Sequence, residues 1–521
     1  MVKRRLFSKT VGGALCPDRF GGYRKSGRHP SQKATARHSK APPTVFLIVF
    51  FPLFALSSTL FANRPPNILF ILVDDLAWTD LGCYGHPWHE TPNIDQLADE
   101  GMQFTQAYSP APICSSARAS ILTGKTPARL GLEFVVKAEA GSQLIEPPQP
   151  LKAPPFTLAL DLAETTIAEQ LKSADYNTAY FGKWHLNPHY AGRYLGWDPQ
   201  LGPAEQGFDM AEEDFGSHPY SRNALPELTV RGQFHRDGIT ERAISFLKQD
   251  HDQAFFLLVS HFYVHTPVQS PYTWLLERYE AKIPEDTPNR EKRIEYAAFV
   301  KTLDYHVGQL LAALDATGLR DDTLVVFLSD NGGHPEYVSH VPLRGSKWNL
   351  YEGGIRVPLL MRWPGTISEK INCDTPVVGY DLFSTFASVA GINEMDTQQD
   401  GTSLVPLFAQ PSLILDRNLY WHFPYYHPEG DKFGRAKASI GVDDFVVSQT
   451  RPHSAIRKGD YKLLHFQEDD RTELYNVKKD PAEERNLALE QAGKTVELAA
   501  SLESYLDQVN ARMAKAQPLK R

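Results

Sequence analysis

Pro66-Asn67-Ile68-Leu69-Phe70-Ile71-Leu72-Val73-Asp74-Asp75 decides the fold of this 521-residue chain. Its apolar core shows no polar alternation, so it does not suit a strand with one wet face. It reads as a strand covered on both sides, as in a parallel sheet. Ala254 to Ser260 and Thr323 to Ser329 have the same texture, and shorter strands are expected near Phe104 to Tyr108 and at Thr178 to Phe181. Helical stretches fall between them. One opens at Thr91, with Pro92 at the first helical position; others cover Thr165 to Ser173 and Arg290 to Thr317. Strands alternating with helices imply βαβ units. The expected fold class is therefore α/β, with a large mixed, mostly parallel sheet flanked by helices. Residues 135–163 are Pro-rich and read as a surface loop. Past residue 415 the texture changes. Tyr461 to Phe466 and Glu473 to Asn476 read as antiparallel strands and Val496 to Met513 as an amphipathic helix, together a smaller C-terminal α+β domain over 415–521.

The first 62 residues differ from the rest. Residues 1–42 hold eleven Lys or Arg and one acid, Asp18, and an apolar run from Val45 to Leu56 and small residues up to Ala62 follow. That order spells a basic leader with a secretory signal, and an uncleaved membrane anchor is the alternative. Beyond residue 62 there are 43 basic and 61 acidic residues. So acidic a remainder argues against a nucleic-acid partner, while leaving room for local cationic groups that take an anionic substrate. Of four cysteines, Cys16 lies in the leader and Cys83, Cys114 and Cys373 remain. An odd number in an exported protein flags a free or modified thiol.

Four places carry chemistry. Asp74-Asp75 and Asp330-Asn331 each follow a strand, where open α/β sheets bind ligands. Such pairs also serve as ordinary turns, but as ligands their hard oxygens suit Ca²⁺ or Mg²⁺ better than zinc. Cys114-Ser115-Ser116-Ala117-Arg118 sets a thiol at an expected helix start, with an arginine one turn on and on the same side. A helix N-terminus favours anions, although a buried cysteine on an ordinary helix fits the same letters. In Gly182-Lys183-Trp184-His185-Leu186, an extended backbone sends Lys183 and His185 to one side.

Pro112-Ile113-Cys114-Ser115-Ser116-Ala117-Arg118 followed by Ile121-Leu122-Thr123-Gly124 resembles the signature of the type I, formylglycine-dependent sulfatases of the alkaline phosphatase superfamily. Ser116 stands where that family usually has Pro. Further matches follow in order: Gly182 to Leu186 (with Asn187 where Gly is usual), Ser260 to Pro267, Pro342 to Lys347 with Tyr351 to Pro358, and Ala455 to Asp460. The resemblance implies an alkaline-phosphatase-like catalytic domain over 63–414. It implies that a maturation enzyme oxidises Cys114 to formylglycine, and that Asp74, Asp75, Asp330, Asn331 and the modified residue 114 hold one calcium ion. It further implies Lys183 and Lys347 as sulfate-binding residues, Arg118 as a support for residue 114, and His185 and His265 as proton-transfer residues. His261 is a weaker match and has a structural role as its alternative. The implied activity is S–O cleavage of a sulfate ester on a sulfated glycan, outside the cell or in the periplasm. A phosphonate monoester or phosphodiester hydrolase of the same superfamily is the rival enzyme. Trp421 to His427, rich in rings, suits either stacking on sugars or packing between domains.

Overall fold

This computed structural model describes residues 64–145, 148–221, 225–393, 398–427 and 450–517. The leader expected over 1–62 lies outside them. Eight strands form the main sheet: β1 (Asn67–Val73), β2 (Met102–Phe104), β3 (Asn177–Gly182), β4 (Met210–Glu212), β5 (Phe255–Ser260), β6 (Thr323–Ser329), β7 (Leu359–Arg362) and β8 (Ile371–Cys373). Their spatial order is β8-β2-β7-β6-β1-β5-β3-β4. β6, β1, β5, β3 and β4 run parallel, and β7 is antiparallel to both β6 and β2. The continuous apolar runs are thus the central strands, buried over their whole length.

Alternate residues of β1 enter two different cores. Ile68, Phe70 and Leu72 pack with Ile121, Leu171 and Phe386 on one face of the sheet. Leu69, Ile71 and Val73 pack with Ile94, Phe246 and the long helix Arg290–Ala316 on the other. A fully buried Leu, Ile or Phe contributes about 1.5–3 kcal/mol, so both helical layers are held by hydrophobic burial. Thr91 precedes the helix Pro92–Asp99 as expected, but its hydroxyl accepts from Gly82 N and donates to Asp95 and makes no cap hydrogen bond. The strand expected at 104–108 is broken in two. β2 ends at Phe104, and Ala107–Tyr108 pairs separately with Val377–Val378.

The C-terminal part forms a four-stranded antiparallel sheet: β9 (Asn418–Phe423), β10 (His453–Lys458), β11 (Tyr461–Phe466) and β12 (Arg471–Asn476). The helix Ala492–Gln508 starts and stops earlier than the expected 496–513. Its Leu498, Leu502 and Tyr505 pack on Ile456, Leu463 and Leu474. Among the described residues no helix is long and apolar enough to cross a membrane.

Candidate active site

Four neighbouring parallel strands, β6, β1, β5 and β3, deliver polar residues at their carboxyl ends: Asp330-Asn331, Asp74-Asp75, the loop holding His265, and Lys183 to His185. The helix Cys114–Thr123 meets them with its first residue. Cys114 is 1% exposed, and its thiol faces Asp74 Oδ1 at 3.4 Å and Asp75 Oδ1 at 3.8 Å. Lys183 Nζ donates to Asp74 Oδ2. Lys347 Nζ donates to Asp75 Oδ2 at 2.6 Å. Arg118 lies one turn below the cysteine: Nε reaches Asp330 Oδ2 at 2.8 Å, and Nη1 donates to Ser260 Oγ at 2.6 Å and the Lys183 carbonyl at 2.8 Å. Its Nη2 stands 3.9 Å from Asp74 Oδ1 and is buried without a hydrogen-bond partner. The helical spacing of Cys114 and Arg118 thus brings both to one centre.

Local sequence explains the aim of these groups. Gly182 has φ +110°, and a Cβ there would lie 1.9 Å from the Ser260 carbonyl oxygen, so the turn into Lys183 requires glycine. Trp184 and Leu186 join the core, anchoring the segment that carries Lys183 and His185. The segment is not fully extended, because His185 has φ +59°. Asn187, where the resembling family has glycine, donates its amide to Gly196 O at 3.0 Å and Pro188 O at 2.6 Å, which closes the loop that follows. Asp75 also has positive φ, +62°. It is held by its own N–H to Asp330 Oδ1 at 3.2 Å and, through its neighbour, by Val264 N to Asp74 O at 2.8 Å. Non-glycine residues in this region are strained and persist where the surroundings fix them.

The electrostatics follow from three buried carboxylates facing three buried cations. Burial works to raise Asp74, yet Lys183, His265 and Arg118 hold its carboxyl well below the usual range. Burial, then the negative Asp74, push Asp330 up to about 7. The same two causes hold the Cys114 thiol well above its ordinary value. Burial, then Lys347, lower His265 to about 3. Burial, then Lys183, lower His185 as well, and its Nδ1 is buried without a partner. His265 Nε2 stands 3.6 Å from Asp75 Oδ2. His261 is fully buried and stacked beside His306, within the electrostatic reach of Asp237.

The donor set fits a hard divalent cation. Asp74, Asp75 and Asp330 converge, and the Asn331 side-chain oxygen is buried with no hydrogen-bond partner while its nitrogen donates to Asp75 at 2.7 Å. An amide oxygen left bare among carboxylates is what an oxygen-seeking ion uses. Sequence reasoning missed the residues that seat His265: the Tyr220 hydroxyl at 3.0 Å from Nδ1, and His218 Nε2 at 2.8 Å from its carbonyl. It also missed Ser260 as the partner of Arg118. Cys83 and Cys373 are both free thiols. The rings of Trp421, Phe423 and Tyr425 are buried among Tyr108, Phe134 and Phe156, and Tyr426 is buried with its hydroxyl donating to Glu468, so the run packs inside the protein.

The family model "Sulfatase" matches residues 66–392, and "N-sulphoglucosamine sulphohydrolase, C-terminal" matches 346–512. Arylsulfatase A of Homo sapiens is 30% identical over 86% of this chain and 89% of its own length. N-acetylgalactosamine-6-sulfatase of Homo sapiens is 32% identical over 69% of each chain. The crystal structure of Ps i-CgsB in complex with k-i-k-neocarrahexaose superposes with a TM-score of 0.66 at 25% identity, covering 85% of this chain and 93% of that one. A mostly parallel sheet with this constellation at its carboxyl edge, in a chain matched over most of its length, has one assignment: the protein belongs to the sulfatase family and is a sulfuric ester hydrolase.

Proposed function

We propose that the chain is an exported sulfatase that removes sulfate from sulfated carbohydrates, using formylglycine made from Cys114 and one calcium ion. The observation that carries this reading is the state of Cys114. Its side chain points at two carboxylates, and burial and Asp74 keep the thiol protonated. A neutral thiol is a poor nucleophile, so the position suits a residue converted to a hydroxyl-bearing group. Formylglycine at 114 would supply such a hydroxyl. Asp74, Asp75, Asp330, Asn331 and the modified residue 114 would hold a calcium ion, which would supply positive charge beside the sulfate oxygens.

The chain's own residues do the rest. Lys183 and Lys347 flank residue 114 from opposite carboxylates and offset negative charge on the sulfate oxygens. Arg118 Nη2, a buried donor with no hydrogen-bond partner 3.9 Å from Asp74 Oδ1, is the group assigned to hold a hydroxyl on residue 114. His265 is neutral at physiological pH, so between His265 and Lys347 the ammonium is the group that already carries a proton for the leaving oxygen. His185, neutral with a bare Nδ1, is the base that accepts a proton from residue 114. The carbohydrate substrate is supported by the sugar sulfate named for one relative and the oligosaccharide bound to a similar structure. Export is supported by the basic and apolar leader.

The test is sulfate release from a panel of sulfated oligosaccharides by protein co-expressed with a formylglycine-generating enzyme, with calcium and a Cys114→Ala control. Release by the wild type alone supports the reading. Inertness toward every sugar sulfate, in protein whose mass shows formylglycine, refutes it and turns attention to phosphonate and phosphodiester substrates.

A further inference from the structure

Two runs of contacts start beside residue 114, one through Ser115 and one through Asp75, with Lys137 and His189 at their far ends. The Val136 amide donates to Ser115 Oγ at 3.1 Å, which ties residues 134–137 to the start of the nucleophile's helix. Lys137 comes next. It is half-buried, with Nζ 5.3 Å from the centroid of the Phe134 ring and 5.9 Å from that of Phe156. Among the described residues no carboxylate pairs with it. His189 lies within its electrostatic reach: burial, then the Lys137 ammonium, depress the imidazole, whose Nε2 is buried with no hydrogen-bond partner. The His189 ring meets Tyr194 edge-on at 4.7 Å, and Tyr194, 50% exposed, meets Tyr220 at 5.4 Å. Tyr220 then bonds His265, which stands beside Asp75.

A cation and a bare imidazole nitrogen therefore lie within electrostatic reach of one another, the imidazole against an exposed tyrosine face. Lys137 is also pre-positioned. Its ammonium lies over two rings in a partly desolvated place, where a cation without a counter-ion is costly. We propose that Lys137 and His189 form a second anion subsite, taking a carboxylate or a second sulfate on the sugar adjoining the one whose ester is cleaved, with Tyr194 as the face on which that sugar lies. This rests on the carbohydrate reading above. It makes the substrate class a polyanionic glycan, distinct from a neutral chain bearing one sulfate.

Matched disaccharides test it. Galactose 6-sulfate and N-acetylgalactosamine 6-sulfate, each joined to neutral galactose, to glucuronate or to a sulfated galactose, are assayed for sulfate release with the wild type, Lys137→Gln, Lys137→Arg and His189→Gln. The wild type is expected to prefer an anionic neighbour. Lys137→Gln should reduce that preference roughly tenfold, mainly through KM, with Lys137→Arg retaining most of it and His189→Gln losing part. Whether the glucuronate or the sulfated arm shows the loss identifies the anion. A preference that is absent in the wild type, or unmoved in both charge-neutral variants, overturns the subsite and leaves Lys137 as a cover for Phe134 and Phe156. If all the sugar sulfates are inert while 4-nitrophenyl sulfate is hydrolysed, the carbohydrate reading fails, and the subsite with it.

Discussion

Replacing Arg118 by Met should cost the protein much of its stability and nearly all of its activity. Methionine keeps the stem of the side chain and removes the charged fork. Three partners then lose a donor: Asp330, Ser260 and the Lys183 carbonyl. The carbonyl keeps Ser260 Oγ at 2.8 Å and the Tyr180 hydroxyl, so it is not left bare. Asp330 is the costly one, because it is fully buried and Arg118 is the chief cation opposing burial and Asp74 in its titration. Breaking such a buried pair costs about 3–5 kcal/mol, against roughly 1 kcal/mol for one ordinary hydrogen bond. The cost depends on pH, with a definite sign. The carboxyl titrates higher folded than unfolded, where its value is 3.8, so it is relieved of charge at low pH and penalised as pH rises through about 7. Removing Arg118 raises the folded value further. In chelator, the urea midpoint of Arg118→Met should therefore fall far more at pH 8 than at pH 5; assayed with calcium, its sulfate release should drop at least about a hundredfold through loss of the Nη2 donor. A loss under about 1 kcal/mol at pH 8, equal at both pH values and with turnover near wild type, would refute this account of the site.

Cys114→Ala should abolish turnover yet melt within a few degrees of wild type, since a neutral thiol between carboxylates contributes little; circular dichroism melting and sulfate release check both halves. Chelation of calcium should inactivate the enzyme and lower its melting temperature, with calcium restoring both, because an ion held only by the folded site stabilises the folded state by mass action; differential scanning calorimetry with and without EDTA reads this. Asp80, away from these groups and bonded by Tyr296 and Ala77, is raised by burial from 3.8 to about 7. Its contribution is present at acid pH and lost as pH rises through 7, by at most about 4 kcal/mol at 1.36 kcal/mol per pKa unit. Asp80→Asn should flatten the fall in stability between pH 5 and pH 8 in urea titrations.

The sheet was readable where physics leaves one choice. Strands covered on both faces need unbroken apolar runs, so β1, β5 and β6 were visible. β7 was not, because its four residues Leu359–Arg362 are too few for any periodicity. The break between Phe104 and Ala107 was hidden for another reason: Thr105 and Gln106 turn to bond Asp374, a partner 268 or more positions away. The C-terminal helix stops at Gln508 because residues beyond it return to pair Lys515–Ala516 with Leu151–Lys152, a contact with no local signature. Among the site residues, Asp74, Asp75, Asp330 and Asn331 announce themselves as oxygen pairs at strand ends, and Cys114 with Arg118 as a helical pair. Tyr220 and His218 carry no such mark, since they matter only through a loop that meets His265 in space, and Ser260, though inside a matched stretch, shows its bond to Arg118 only in the fold. Trp421 to His427 shows the reverse: a run that looked functional is core.

The Lys347 segment has a further debt to the far end of the chain. Glu352, five residues on, is buried against Lys462 at 3.0 Å, Lys462 lies 3.0 Å from Glu483, and the Glu352 amide donates to Glu483 at 2.7 Å. His453 receives the Leu350 amide at 2.9 Å. During synthesis these partners leave the ribosome more than a hundred residues after the loop they fasten. Until then the segment that carries Lys347 lacks these partners. On the reading proposed above, that delay gives a maturation enzyme time to reach Cys114 before residues 453–483 fasten the segment beside it.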